Sequence, residues 1–75
     1  PSYKDQRELD SMEGEIAALE EKIAALDAEM AANISDYAKL ETLSSQKEET
    51  EALLNERMDR WVYLTELAES LEQES

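Results

Sequence analysis

Four cations, Lys4, Arg7, Arg57 and Arg60, are the side chains of this sequence best suited to binding chemistry. Ammonium and guanidinium groups hold phosphate or carboxylate through charge-assisted hydrogen bonds. They stand among only seven basic residues, against twenty acidic ones, in a chain of formal charge -13. Brought together, the four would make a small basic spot able to touch phosphate. The competing expectation is internal pairing with Asp5, Glu8, Asp10, Glu13 and Glu56, and the Glu56/Arg60 pair has the favourable i,i+4 order.

Catalytic constellations do not form. Histidine and cysteine are absent, which removes the commonest acid–base catalyst, thiolate nucleophiles, disulfides and the usual zinc ligands. Carboxylate neighbours such as Glu20/Glu21 and Glu48/Glu49 do not share a helix face, so they read as solvated side chains. Glu41 and Ser45 do face each other, yet nothing nearby could act as a base for the serine. Glu48 and Glu51 could attract a divalent cation only loosely. Gly14 is the sole glycine, so no glycine-rich phosphate loop exists. The expectation is no catalytic, cofactor or metal residue in this stretch of chain. Tyr37 falls at a turn, either capping the last core layer or acting as a contact tip.

The elements that must position these groups follow from apolar spacing. Leu9, Met12, Ile16, Leu19, Ile23, Leu26 and Met30 form an unbroken 3-4-3-4 ladder, the signature of a coiled-coil seam. A second, less pure ladder runs through Leu40, Leu43, Lys47, Thr50, Leu54, Arg57, Trp61, Leu64, Ala68 and Leu71. Between them, Asn33, Ser35 and Asp36 compete with the helix backbone for hydrogen bonds. Asn33 suits a left-handed cap, and Ser35 or Asp36 suits a helix N-cap. The alternative is one continuous helix about 100 Å long.

These features predict an all-α fold, two long helices in an antiparallel intramolecular coiled-coil hairpin. Residues 1–75 would be a single domain, with helix one at about 3–32, a turn at about 33–36 and helix two at about 37–73. Folding about a centre near residue 35 sets Met30 on Leu40, Leu26 on Leu43, Ile23 on Lys47 and Ile16 on Leu54. Met12 then lies by Arg57 and Met58, Leu9 packs on Trp61, and Tyr3 on Leu67. Lys47 should lay its methylenes over Ile23 and keep its ammonium in water. Arg57 should do likewise, towards Glu13. Gly14, in mid-helix, costs about 1 kcal/mol relative to alanine.

Charge limits the partners. At -13 the chain repels DNA, RNA and anionic lipid at long range. No apolar run reaches the roughly 18 residues of a membrane span, and no basic-then-apolar signal segment is present. A chain this short without staples should be marginally stable, and its self-repulsion predicts stabilisation by salt or moderate acidification. The start at Pro1 without methionine, and the polar end Gln73-Glu74-Ser75, suggest a piece of a longer chain.

Ser2-Tyr3-Lys4-Asp5-Gln6-Arg7-Glu8-Leu9, Ile16-x-x-Leu19-Glu20, a turn carrying Tyr37, and Arg60-Trp61-x-x-Leu64 together resemble a known module. It is similar to the C-terminal coiled-coil domain of the ABC-F ATPases, particularly the Uup-like branch, and the resemblance covers nearly the whole chain. Where that family usually has a Leu-Pro step, this sequence has Met12-Glu13. The resemblance implies a cytoplasmic parent with two ATP-binding cassettes, to which ATP and Mg2+ would belong. It implies an antiparallel hairpin that binds DNA in Uup-like members, in a wider family working on ribosomes. Tyr3, Lys4, Arg7, Arg60 and Trp61 match the recurrent residues.

The expected role is therefore a binding and positioning arm, about 50 Å long at 1.5 Å per residue, that contacts ribosomal RNA, ribosomal protein or DNA. The alternative is a structural or protein-interaction hairpin that meets a basic protein surface. A monomer is expected, with self-association through Leu53, Met58 and Leu67 as a third possibility.

Overall fold

The computed structural model describes residues 3–74, with side chains described as far as Leu71; Pro1, Ser2 and Ser75 lie outside this range, as do the side chains of Glu72, Gln73 and Glu74. Helix α1 runs Tyr3–Ala32 and helix α2 runs Tyr37–Glu74, 30 and 38 residues long. They pack against each other as an antiparallel hairpin, giving a rod of 59 × 16 × 14 Å. Alanine, leucine, glutamate and lysine dominate both helices and favour that state. No break occurs at Met12-Glu13 or at Gly14.

The turn is tied at both ends. Asp36 is the N-cap of α2, its carboxylate accepting the Lys39 N–H at 3.1 Å while its own carbonyl accepts from Leu40 N–H at 2.9 Å. Such a cap contributes about 1 kcal/mol. The end of α1 corrects the expected left-handed cap: no described residue has positive φ. Asn33 instead donates its side-chain amide to the Glu29 carbonyl at 2.8 Å, and its backbone N–H reaches the Met30 carbonyl at 3.2 Å. A planar amide thus satisfies one of the carbonyls that a helix end leaves open, without the steric cost of αL.

Burial follows the seam. Met12, Leu26, Leu43 and Leu64 are buried, with Met12 only 1% exposed. Leu9, Ile16, Leu19, Ile23, Met30, Leu40, Leu54 and Trp61 are half-buried along the same stripes. Two helices cannot enclose a residue on all sides, so partial burial is the normal state of such a seam. Thr50 is buried among them and donates its hydroxyl to the Gln46 carbonyl at 2.7 Å. That bond keeps a polar side chain satisfied inside the core.

Two expectations at the open end are corrected. Leu71, expected in the core, is 40% exposed. The Glu8–Arg60 contact sets the register, and beyond it the longer α2 outruns the start of α1. Tyr3, expected on Leu67, is 77% exposed. The step before Leu9 in a 3-4 ladder falls on Asp5, which is half-buried, and not on Tyr3.

Candidate functional site

The open end gathers the cations that could do chemistry, and the register decides what they touch. Arg60 on α2 lies against Glu8 on α1. Its Nε donates to one carboxylate oxygen at 2.8 Å and its Nη2 to the other at 3.3 Å, a two-pronged fork. Glu8 was among the carboxylates expected to pair with these cations; Glu56, which has the i,i+4 order, lies 3.2 Å from Arg57 instead. Arg60 also lies over the Tyr63 ring, 5.3 Å from its centroid, and Arg7 over the Tyr3 ring at 5.7 Å. Both are cation–π distances.

Arg57 sits in the seam and reaches Glu15 at 3.6 Å. Glu13, its expected partner, lines a groove with Ile16, Met58 and Trp61, whereas Glu15 shares a different groove with Ala18, Leu19, Lys22, Leu53 and Arg57. The Nε of Arg57 is buried with no hydrogen-bond partner. Lys47 places its ammonium 2.7 Å from Asp27, one helical turn beyond Ile23. Lys4 is exposed and adds to the positive field at Glu8. Of the four cations, then, Arg57 and Arg60 are engaged by carboxylates within the hairpin. Lys4 and Arg7 are exposed, the latter with its stacking contact.

These pairs set the pH behaviour. The Arg60 hydrogen bond, reinforced by its charge, holds Glu8 below the usual carboxylate range. Because the folded value is depressed, that contribution is present above the unfolded pKa and lost as pH falls through the lowered one. The Asp27 hydrogen bond raises Lys47, and the Glu8 hydrogen bond raises Arg60. Their contributions are complete below the unfolded pKa and lost only as strongly alkaline pH passes the raised values.

Near neutrality the excess carboxylates dominate. The melting temperature is expected to rise with added salt, and to rise again between pH 7 and about pH 5 as acids begin to protonate. It should fall once pH drops through the lowered Glu8 value. Thermal denaturation across salt and pH checks this, and a melting temperature indifferent to salt would reject self-repulsion.

The opposite end carries Tyr37, 83% exposed, and Ile34, 71% exposed. Tyr37 is free of the core-capping position considered for it. Ile34 lies outside both ladders, so no period marks it; its signal in the sequence is a β-branched apolar residue among turn formers. Tyr63, 55% exposed beside the seam, likewise carries no period.

Among the described residues no group of histidine, cysteine, aspartate or glutamate could hold a metal ion. Among the described residues, no helix is long and apolar enough to cross a membrane. Gly14 lies inside α1 and not in a loop.

An antiparallel two-helix coiled coil with ion-paired flanks defines a helical-hairpin module. Residues 1–66 match the family described as the ABC transporter C-terminal domain, and the chain belongs to that family. It is similar to the uncharacterized ABC transporter ATP-binding protein YfmR of Bacillus subtilis (strain 168), at 45% identity over 71 residues. The alignment covers 95% of this chain but only 11% of that protein. No solved structure matches.

Proposed function

We propose that this hairpin is the binding and positioning arm of a cytoplasmic ABC-F ATP-binding protein of the Uup-like type, engaging a ribosome or a nucleic acid. The observation that carries the reading is the 59 Å rod itself, tied at its turn by the Asp36 cap and near its open end by the Glu8–Arg60 fork. Such an arm holds a contact at a set distance from the body that bears it. ATP and Mg2+ belong to the cassettes of the parent protein. Within the hairpin, Arg60 and Glu8 hold register, Leu9 and Trp61 belong to the seam near that end, and the arm works as a monomer.

A second reading favours protein over nucleic acid as the direct contact. Two of the four open-end cations are engaged internally, and the chain keeps a charge of -13. The test is a titration of the intact parent, and of a parent lacking the hairpin, against ribosomes, duplex DNA and single-stranded nucleic acid at two salt concentrations. The arm should account for at least about tenfold of ribosome affinity while ATP turnover persists. Unchanged affinity after its removal would overturn the proposal. Neutralising Lys4, Arg7, Arg57 and Arg60 without loss of binding would assign the contact to protein.

A further inference from the structure

Large apolar side chains on the rod surface need a reason when they are concentrated where folding does not require them. Ile34 and Tyr37 are 71% and 83% exposed, three residues apart, at the extremity farthest from the open end. Nothing in the hairpin asks for a β-branched residue at position 34, because turn positions favour Gly, Asn, Asp and Ser. The turn that presents both side chains is held by the Asn33–Glu29 and Asp36–Lys39 hydrogen bonds and by a backbone bond from Asp36 N–H to the Asn33 carbonyl at 2.9 Å. Little conformational entropy remains to be lost when such a segment binds, which favours anchoring through a few residues.

Charge chooses the class of partner. Around the tip, Glu29, Asp36 and Glu41 stand exposed against Lys39, so the anchor has an acidic border on a chain of charge -13. Phosphate backbones are repelled by that border, and so is a second copy of the chain. A basic surface attracts it. We propose that Ile34 and Tyr37 form an apolar anchor that inserts into a basic-rimmed apolar pocket on a protein component of the ribosome. This inference rests on the reading of the hairpin as a ribosome-engaging arm and names the chemistry of its far contact. Two side chains supply a small interface, whose strength comes from tethering to the rest of the bound protein.

The test uses the intact parent with a photo-crosslinking amino acid at position 34 or, as a control on the exposed side of α2, at position 48, mixed with purified ribosomes. Position 34 should crosslink to a ribosomal protein at a segment rich in lysine or arginine, and position 48 should not. The double variant Ile34→Ser/Tyr37→Ser should lose about tenfold in ribosome affinity, with its melting temperature unchanged because neither side chain is buried. Crosslinks to ribosomal RNA, to the ATP-binding body or to a second copy would each overturn the anchor. So would ribosome binding that depends on the hairpin but leaves position 34 uncrosslinked and the double variant unaffected, an outcome that keeps the arm. If removing the hairpin changes nothing, arm and anchor fall together.

Discussion

Replacing Met12 with alanine is expected to cost about 2–5 kcal/mol and to leave much of the chain unfolded at room temperature. Met12 is the most buried large side chain, at 1% exposure, in a seam where few positions are fully enclosed. Removing its thioether leaves a cavity that two rigid helices cannot easily close. A chain of this size without disulfide or metal rarely holds more than about 3–5 kcal/mol in total. The loss therefore rivals the whole stability, whereas Leu53→Ala, at a site 46% exposed, should change little. Met12→Leu, which keeps volume, should cost less than about 1.5 kcal/mol. Urea titration followed by far-ultraviolet circular dichroism separates the three variants. A cooperative Met12→Ala transition with the parental midpoint would show that the seam is not the source of stability.

Arg57→Leu is expected to act in the opposite direction, adding about 1–2 kcal/mol at moderate salt. Three contributions compete at this position. The ion pairs to Glu15 at 3.6 Å and Glu56 at 3.2 Å join partly exposed groups, and such pairs contribute about 0.2–1 kcal/mol each. The buried, unpartnered Nε costs about 1–3 kcal/mol in lost hydration. Leucine removes that cost and restores an apolar rung, at the expense of one positive charge in an acidic chain. The gain should consequently shrink at low salt, where repulsion is unscreened. Sedimentation compares the oligomeric state of the variant with that of the parent. A melting temperature lower than that of the parent at moderate salt would mean that Arg57 contributes more through its ion pairs than its buried nitrogen loses.

The fold was legible because a 3-4 rhythm names the buried face residue by residue. Leu9 through Met30 needed no partner to reveal their stripe, and Asn33 and Asp36 announced a reversal between two such stripes. What rhythm does not contain is the axial offset of one helix against the other. That offset decides that Arg60 meets Glu8 across the seam and not Glu56 one turn back. It also leaves Leu71 on the overhang of α2. Tyr3 shows a different limit: six residues before Leu9 it falls about 120° off the stripe, and the rung belongs to Asp5. Arg57 shows a third, because choosing Glu15 over Glu13 depends on which flank of the seam its guanidinium leaves by. The tip was half legible, through Tyr37. Ile34 stayed hidden because a single apolar residue in a turn carries no period.

The turn has one more consequence, and it concerns the order in which the molecule assembles. Only the short segment between Ala32 and Tyr37 must close before the first facing rungs meet, so the initial loop entropy is small. Each later rung then closes against one already formed, and the hairpin can zip from Met30 and Leu40 outward. The Glu8–Arg60 fork joins residues 52 apart in sequence and locks late in such a sequence. In such a sequence the end that presents Ile34 and Tyr37 matures first, before the Glu8–Arg60 end has closed.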